Sequence, residues 1–280
     1  MSQAMSLLRR FWNWLPAVAK GIICGQSLLI IGQLPLALLF INLRLTPSIP
    51  WFLPITAFWL WAFWKYLTGN SWPASTSHIR SGYLRGQTLT PKLWLWSLIA
   101  GGFGMISLMG LIFVTSEFGG LPSSALEPPF DVSIYPPWTV FSIFLTIAVV
   151  AGVVEEASFR GYMLSIIQHR HGWVVGIFVV AIMFWLSHLS HAYATAAFIP
   201  FFMLYSLLHG LLVYFTRSIL PSVVIHSISD FLILPIQYGA VPNVGDHEFV
   251  KYGVLSVVSV LIAIPAFYRL RSVTEEVIRQ

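Results

Sequence analysis

Charged side chains are scarce in this sequence. Asp, Glu, Lys and Arg make up 9% of its 280 residues, where a soluble domain carries roughly 25%. Apolar residues make up 57%, and the mean hydropathy is +0.80. A water-soluble globule is excluded by the missing charge more than by the abundant carbon. Cysteine is nearly absent as well. Cys24 stands alone, so an intramolecular disulfide and any multi-cysteine metal site are excluded. It reads as a small apolar residue in a helix. The net charge is +5, yet no dense basic tract points to nucleic acid. No internal repeat, low-complexity tail or second domain is evident, and residues 1–280 read as one membrane domain.

What is present is a series of apolar windows. About 20 residues cross ~30 Å of hydrocarbon, and eight windows qualify or come close. They run approximately 16–41, 51–67, 93–116, 138–160, 173–191, 196–215, 219–237 and 251–268. The expected fold is therefore all-α and polytopic, with about eight transmembrane helices. The basic start "MSQAMSLLRRFWNWLP" resembles the head of a signal peptide. The apolar run after it is longer than a signal core, and no small-residue cleavage site follows. It is expected to be a retained first span, with Trp12 and Trp14 as interfacial anchors.

Lysine and arginine orient the spans. With the N-terminus in the cytosol, 13 of the 15 basic residues fall in cytosolic segments and only Arg44 and Lys251 fall outside. Both termini are then cytosolic. The outer loop "EFGGLPSSALEPPFDVSIYPP" holds three acids and no base. The loop 68–92, with four bases counting its flanks, reads as a lipid-headgroup surface. Compact loops and short tails suit a bacterial inner membrane better than the endoplasmic reticulum.

A few ionisable residues lie deep in the spans, where each costs several kcal/mol, with values from about 2.5 to above 10. They are Glu155, Glu156 and Arg160, then His188, His209, His226 and Asp230; His191 lies near a span end. Glu156 and Arg160 are four apart and share a helix face. Glu155 is rotated by about 100° from Glu156, so it points elsewhere. His209 has no acidic companion at helical spacing and reads as a hydrogen-bonded packing residue. The turn "QHRHG" at 168–172 lies about 16 residues after Glu155 and about 16 before His188. An antiparallel hairpin therefore sets these two at one depth, roughly 24 Å from the turn. His226 and Asp230, four apart in "HSISD", lie roughly 13 and 20 Å from their own turn near Arg217. The depths meet if the first hairpin protrudes several ångströms further into the cytosol. A carboxylate, imidazoles and a further polar group at one depth are the equipment of hydrolysis: a base for water and donors for an oxyanion.

The stretches "EEASFR", "FWLSH" and "HSISD", in that order, resemble the three motifs of the CAAX protease and bacteriocin-processing (Abi) family, which includes the type II CAAX prenyl endopeptidases. The resemblance covers about 138–237. It implies an eight-span intramembrane protease with a catalytic cavity open to the cytosol. By position it implies that Glu155 and His188 activate water, that His226 and Asp230 stabilise the oxyanion, and that Glu156 and Arg160 support the site. Position 230 is usually Asn in the prenyl proteases. An ionised Asp230 would repel an oxyanion, so it is either protonated or orients His226.

The implied partners are membrane lipid and a peptide or protein substrate, lipidated or not, with no cofactor. The alternatives are a zinc peptidase with Glu155, His188 and His226 as ligands, a non-catalytic immunity or scaffold protein, and a proton-coupled transporter. No His-Glu-x-x-His signature supports the zinc reading, and no inverted repeat supports transport. The orientation is open to a direct check. Reporter fusions in the 68–92 loop and at residue 125 are expected on opposite sides of the membrane. Finding both on one side would overturn the span count and the depth argument together.

Overall fold

A computed structural model describes residues 10–119, 131–191, 194–237 and 249–279. The outer loop lies largely outside the described residues. Among the described residues the α-helices include α1 (Ala17–Gln33), α2 (Leu36–Leu45), α3 (Phe52–Leu67), α4 (Ser77–Leu84), α5 (Pro91–Gly119), α6 (Pro137–Glu155), α7 (Leu164–Ser187), α8 (Ile199–Thr216), α9 (Leu220–Gln237) and α10 (Phe249–Ile278). Between α6 and α7 the chain winds as a π-helix, Glu156–Met163. No strand occurs among the described residues. The protein is a polytopic, all-helical membrane protein.

Each of the eight apolar windows falls on helix. Among the described residues, five stretches are long and apolar enough to cross a membrane: Ala17–Leu45, Pro91–Ile112, Pro137–Ser187, Ala196–Thr216 and Val250–Ile278. Helix α3 has 16 residues, and the apolar part of α9 is Leu220–Pro235; both are shorter than a full crossing. Pro137–Ser187 has 51 residues, far more than one crossing uses. It folds back at Gly172, where φ is +80°, a conformation that suits a residue without Cβ.

The two arms of this hairpin run antiparallel. Phe159 and Phe184 meet edge to face at 5.3 Å, and a Cβ on Gly176 would lie 2.8 Å from Leu164. The pair 159/184 is symmetric about the same midpoint as 155/188, the register that the residue counting uses. The protrusion of this hairpin is also visible. Ser165 donates to Tyr83 O at 3.0 Å, and Ile219 N–H donates to Arg85 O at 3.0 Å. The start of α9 therefore stands near residue 165, and seven more residues, about 10 Å of helix, lead to Gly172.

Glycines let the helices around the hairpin approach closely. On α1, Gly21, Gly25 and Gly32 face Ile167, Met163 and Val154. Gly21 and Gly25 form a small-xxx-small pair, the spacing that brings helix backbones together in lipid. On α6, a Cβ at Gly152 would overlap Ser227 Oγ and lie 3.0 Å from Val223 O. This contact seats α9 one turn from Glu155 and Glu156.

Within the 68–92 loop, one of the four bases turns inward. Arg80 is only 4% exposed. Its guanidinium donates to Tyr66 O at 2.7 Å, Ser71 O at 2.6 Å, Pro73 O at 2.9 Å and the Thr76 hydroxyl. It also lies 4.4 Å from the Tyr66 ring. The loop is thus wound around one arginine, which holds α4 over the hairpin. Leu84 is fully buried there, with its carbonyl against Gly161.

The glycine contacts make a paired prediction. Gly152→Ala should lower the melting temperature in detergent, since overpacking costs about 1–3 kcal/mol. Gly102→Ala meets nothing within 4 Å and should hold or raise it, by about 0.5–1 kcal/mol of helix propensity. A Gly152→Ala protein as stable as wild type would show that α9 can shift without loss.

Candidate active site

The site grows from the junction of α6 with the π-helix. Every residue from Val154 to Ser165 is buried. A π turn inside an α-helix shifts the register of the residues beyond it, and such turns are frequent at functional sites. Here the change of winding falls between Glu155 and Glu156.

Glu156 and Arg160 are both fully buried, and Arg160 Nη1 donates to Glu156 Oε1 at 3.0 Å. This is the pairing that the i,i+4 spacing predicts. The guanidinium also lies 4.6 Å from the Phe184 ring and 5.8 Å from Tyr205, so aromatic faces share its charge. Glu156 accepts two further bonds, from His226 Nδ1 at 2.9 Å and from Ser222 Oγ at 2.5 Å. One carboxylate thus ties the π-helix to α9.

The other ring nitrogen of His226 faces two more carboxylates. Nε2 lies 3.4 Å from Asp230 Oδ2 and 3.8 Å from Glu155 Oε2. Gln33, from the end of α1, donates to Glu155 Oε1 at 3.5 Å. Exposure is graded across the three acids: the side chains of Glu156, Glu155 and Asp230 are 0%, 11% and 24% exposed. The sealed acid holds Nδ1, and the two accessible ones flank Nε2.

His188 reaches this level from α7 but touches a different wall. Its Nδ1 donates to Phe184 O at 2.7 Å, and its ring packs on Phe184 at 4.5 Å and Phe202 at 5.1 Å. That bond sets the tautomer: in the neutral ring Nε2 carries the lone pair. The structure therefore joins Glu155, Glu156, Arg160, His226 and Asp230 in one connected group, with His188 alongside on the aromatic wall. Among the described residues, no three His, Cys, Asp or Glu side chains gather into a set that could hold a metal ion.

Sequence reasoning missed three members. Ser222 and Gln33 carry no signal of their own in a single sequence. His209 lacks a local acidic partner, yet the fold brings its Nδ1 to 2.6 Å from Ser222 Oγ and 3.9 Å from Glu156 Oε1. It is a hydrogen-bonded buried residue, as expected, but it is bonded within the site.

Residues 137–232 match the family model for Type II CAAX prenyl endopeptidase Rce1-like. The match covers about a third of the chain and includes every residue of the cluster except Gln33. The resemblance read from the three motifs is thus to a family of membrane peptide hydrolases. No curated protein and no solved structure matches the chain.

Arg160→Ala would leave Glu156 charged and bare in the interior. Breaking a buried pair from one side costs about 3–5 kcal/mol, so the variant should melt well below wild type in detergent. Arg160→Lys keeps the charge but loses the planar group between Phe184 and Tyr205, and should fall between the two. An unshifted melting temperature for Arg160→Ala would show that the pair is not holding the site.

Proposed function

We propose that the chain is an intramembrane endopeptidase that hydrolyses a peptide bond at the cytosolic side of the membrane, with Glu155 as general base. The observation that supports this most is the graded set of acids around His226. Glu156 locks Nδ1 in a sealed pocket. Nε2 is left facing Glu155 and Asp230, where solvent can enter.

In this reading Glu155 and the free Nε2 of His188 take the proton of the attacking water. The hydroxide adds to the scissile carbonyl, and His226, with a proton on Nε2, donates to the oxyanion. Asp230 acts on His226 rather than on the oxyanion; its 3.4 Å approach to Nε2 suits an orienting carboxylate. The proton held by Glu155 and His188 then passes to the leaving amine. Glu156 and Arg160 hold the frame. Peptide hydrolysis balances with water as the one co-reactant. No metal is used in this scheme. The substrate is a membrane-bound peptide or protein, with a lipidated C-terminus as the first candidate. Both termini are cytosolic and the membrane is the bacterial inner membrane.

Glu155→Gln keeps size and hydrogen bonding but removes the base. Loss of a general base costs about 10²–10⁴ in rate, with little change in melting temperature expected, because Glu155 is outside the sealed pair. Peptide termini in cells carrying wild type and Glu155→Gln should differ at discrete sites, and cleavage of the peptides so found should survive a strong chelator. Cleavage by folded Glu155→Gln would remove Glu155 as the base. Zinc-restorable loss in chelator would favour the metal reading. A Glu155→Gln protein that unfolds like Arg160→Ala would favour the scaffold reading.

A further inference from the structure

Glu156 is held on both oxygens, and the second hold comes from a pair that the catalytic scheme does not use. Ser222 Oγ lies 2.5 Å from Glu156 Oε2, and His209 Nδ1 lies 2.6 Å behind it. Ser222 and His209 are both fully buried. A hydroxyl has one proton, and a carboxylate accepts only. The Ser222 proton therefore lies toward Glu156, and the His209 bond is an Nδ1–H donated to Ser222 Oγ. The chain of donors runs His209 to Ser222 to Glu156, where it meets Nδ1–H of His226 at 2.9 Å on Oε1.

Packing alone does not account for this pair. The arrangement leaves His209 Nε2 buried with no hydrogen-bond partner, a cost that an apolar side chain would avoid. Geometry gives the pair a use. Arg160 and His226 both bind Oε1, so they leave the carboxylate free to turn about its last bond. A third donor on Oε2 removes that freedom.

We propose that Ser222 and His209 are positioning residues that fix the rotamer of Glu156, so that His226 keeps its proton on Nδ1 and presents Nε2 to Glu155 and Asp230. Its consequence for catalysis rests on the peptidase reading; the geometry does not.

The test uses the full chain in detergent micelles with ¹⁵N-labelled histidine, the His226 signals being assigned by their loss in His226→Gln. Wild type should show an Nδ1–H proton that exchanges slowly with water near neutral pH. Ser222→Ala and His209→Phe should each speed that exchange by about tenfold or more, the effect of losing one charge-assisted bond in the chain. Ser222→Thr retains the hydroxyl and should restore slow exchange. A pair that served packing alone would lower the melting temperature and leave the His226 signal unchanged. Folded Ser222→Ala with wild-type exchange would overturn the proposal, as would wild-type His226 protonated on Nε2 alone. If Ser222→Ala does not fold, Ser222→Cys keeps the volume with a weaker donor and is judged by the same signal. Comparison of cellular peptide termini separates the two readings. An inert wild type with the expected His226 signals overturns the peptidase and leaves the positioning role standing.

Discussion

The organisation of this protein depends on one buried carboxylate. Glu156 sits with no exposed side-chain surface, where an isolated charge would be prohibitive. Its stability there requires partners from several directions at once. Arg160 comes from its own helix, and His226 and Ser222 come from α9. Neither the π-helix nor α9 can move without exposing or stranding that charge. The glycine at 152 is what allows the approach, and the glycines of α1 press the hairpin from the other side. In lipid, helices gain little from burying apolar surface against one another. A charge that must be satisfied, with small residues that permit close contact, takes over part of the role that a hydrophobic core has in water.

The fold and most of the site are legible in the sequence, for physical reasons that also explain the rest. Apolar windows of the right length must be helices, because the hydrocarbon interior leaves backbone groups no other partner. Local spacing then pairs Glu156 with Arg160, and the symmetry of the hairpin sets Glu155 and His188 at a shared level. Contacts across unlinked helices leave no such trace. Gln33 lies 122 positions from Glu155, and the Ser222 hydroxyl lies 66 positions from the carboxylate it serves. The change to π winding at Glu156 is equally silent. Arg80 shows the limit of counting charges by side: the count makes it a headgroup contact, but four oxygen acceptors draw it inward. Arg160, also within the cytosolic set, is sealed as well.

The two kinds of carboxylate separate architecture from chemistry. Glu156 is saturated with donors and shut off from water, which suits a fixed negative charge. Glu155 has a long contact to Gln33 and a partly open side chain, which suits a group that must take and give up a proton. Adjacent residues reach these opposite environments because consecutive helical positions face different directions. A pair of neighbouring acids is thus a compact way to place a working group beside its own support.

The fold-back at Gly172 makes the hairpin a pair of rulers with a common zero. Glu155 and His188 stand at nearly equal residue counts from the bend, so their relative placement is set by the lengths of the two arms. A residue gained or lost within one arm would shift its far end by about 1.5 Å and rotate it by about 100°. The aromatic contact between Phe159 and Phe184 would slip along with it. The exposed bend around residues 169–175 can absorb a change of length that the arms cannot. Selection on this segment therefore acts on its length as much as on its letters, and insertions and deletions that descendants tolerate should collect at the bend.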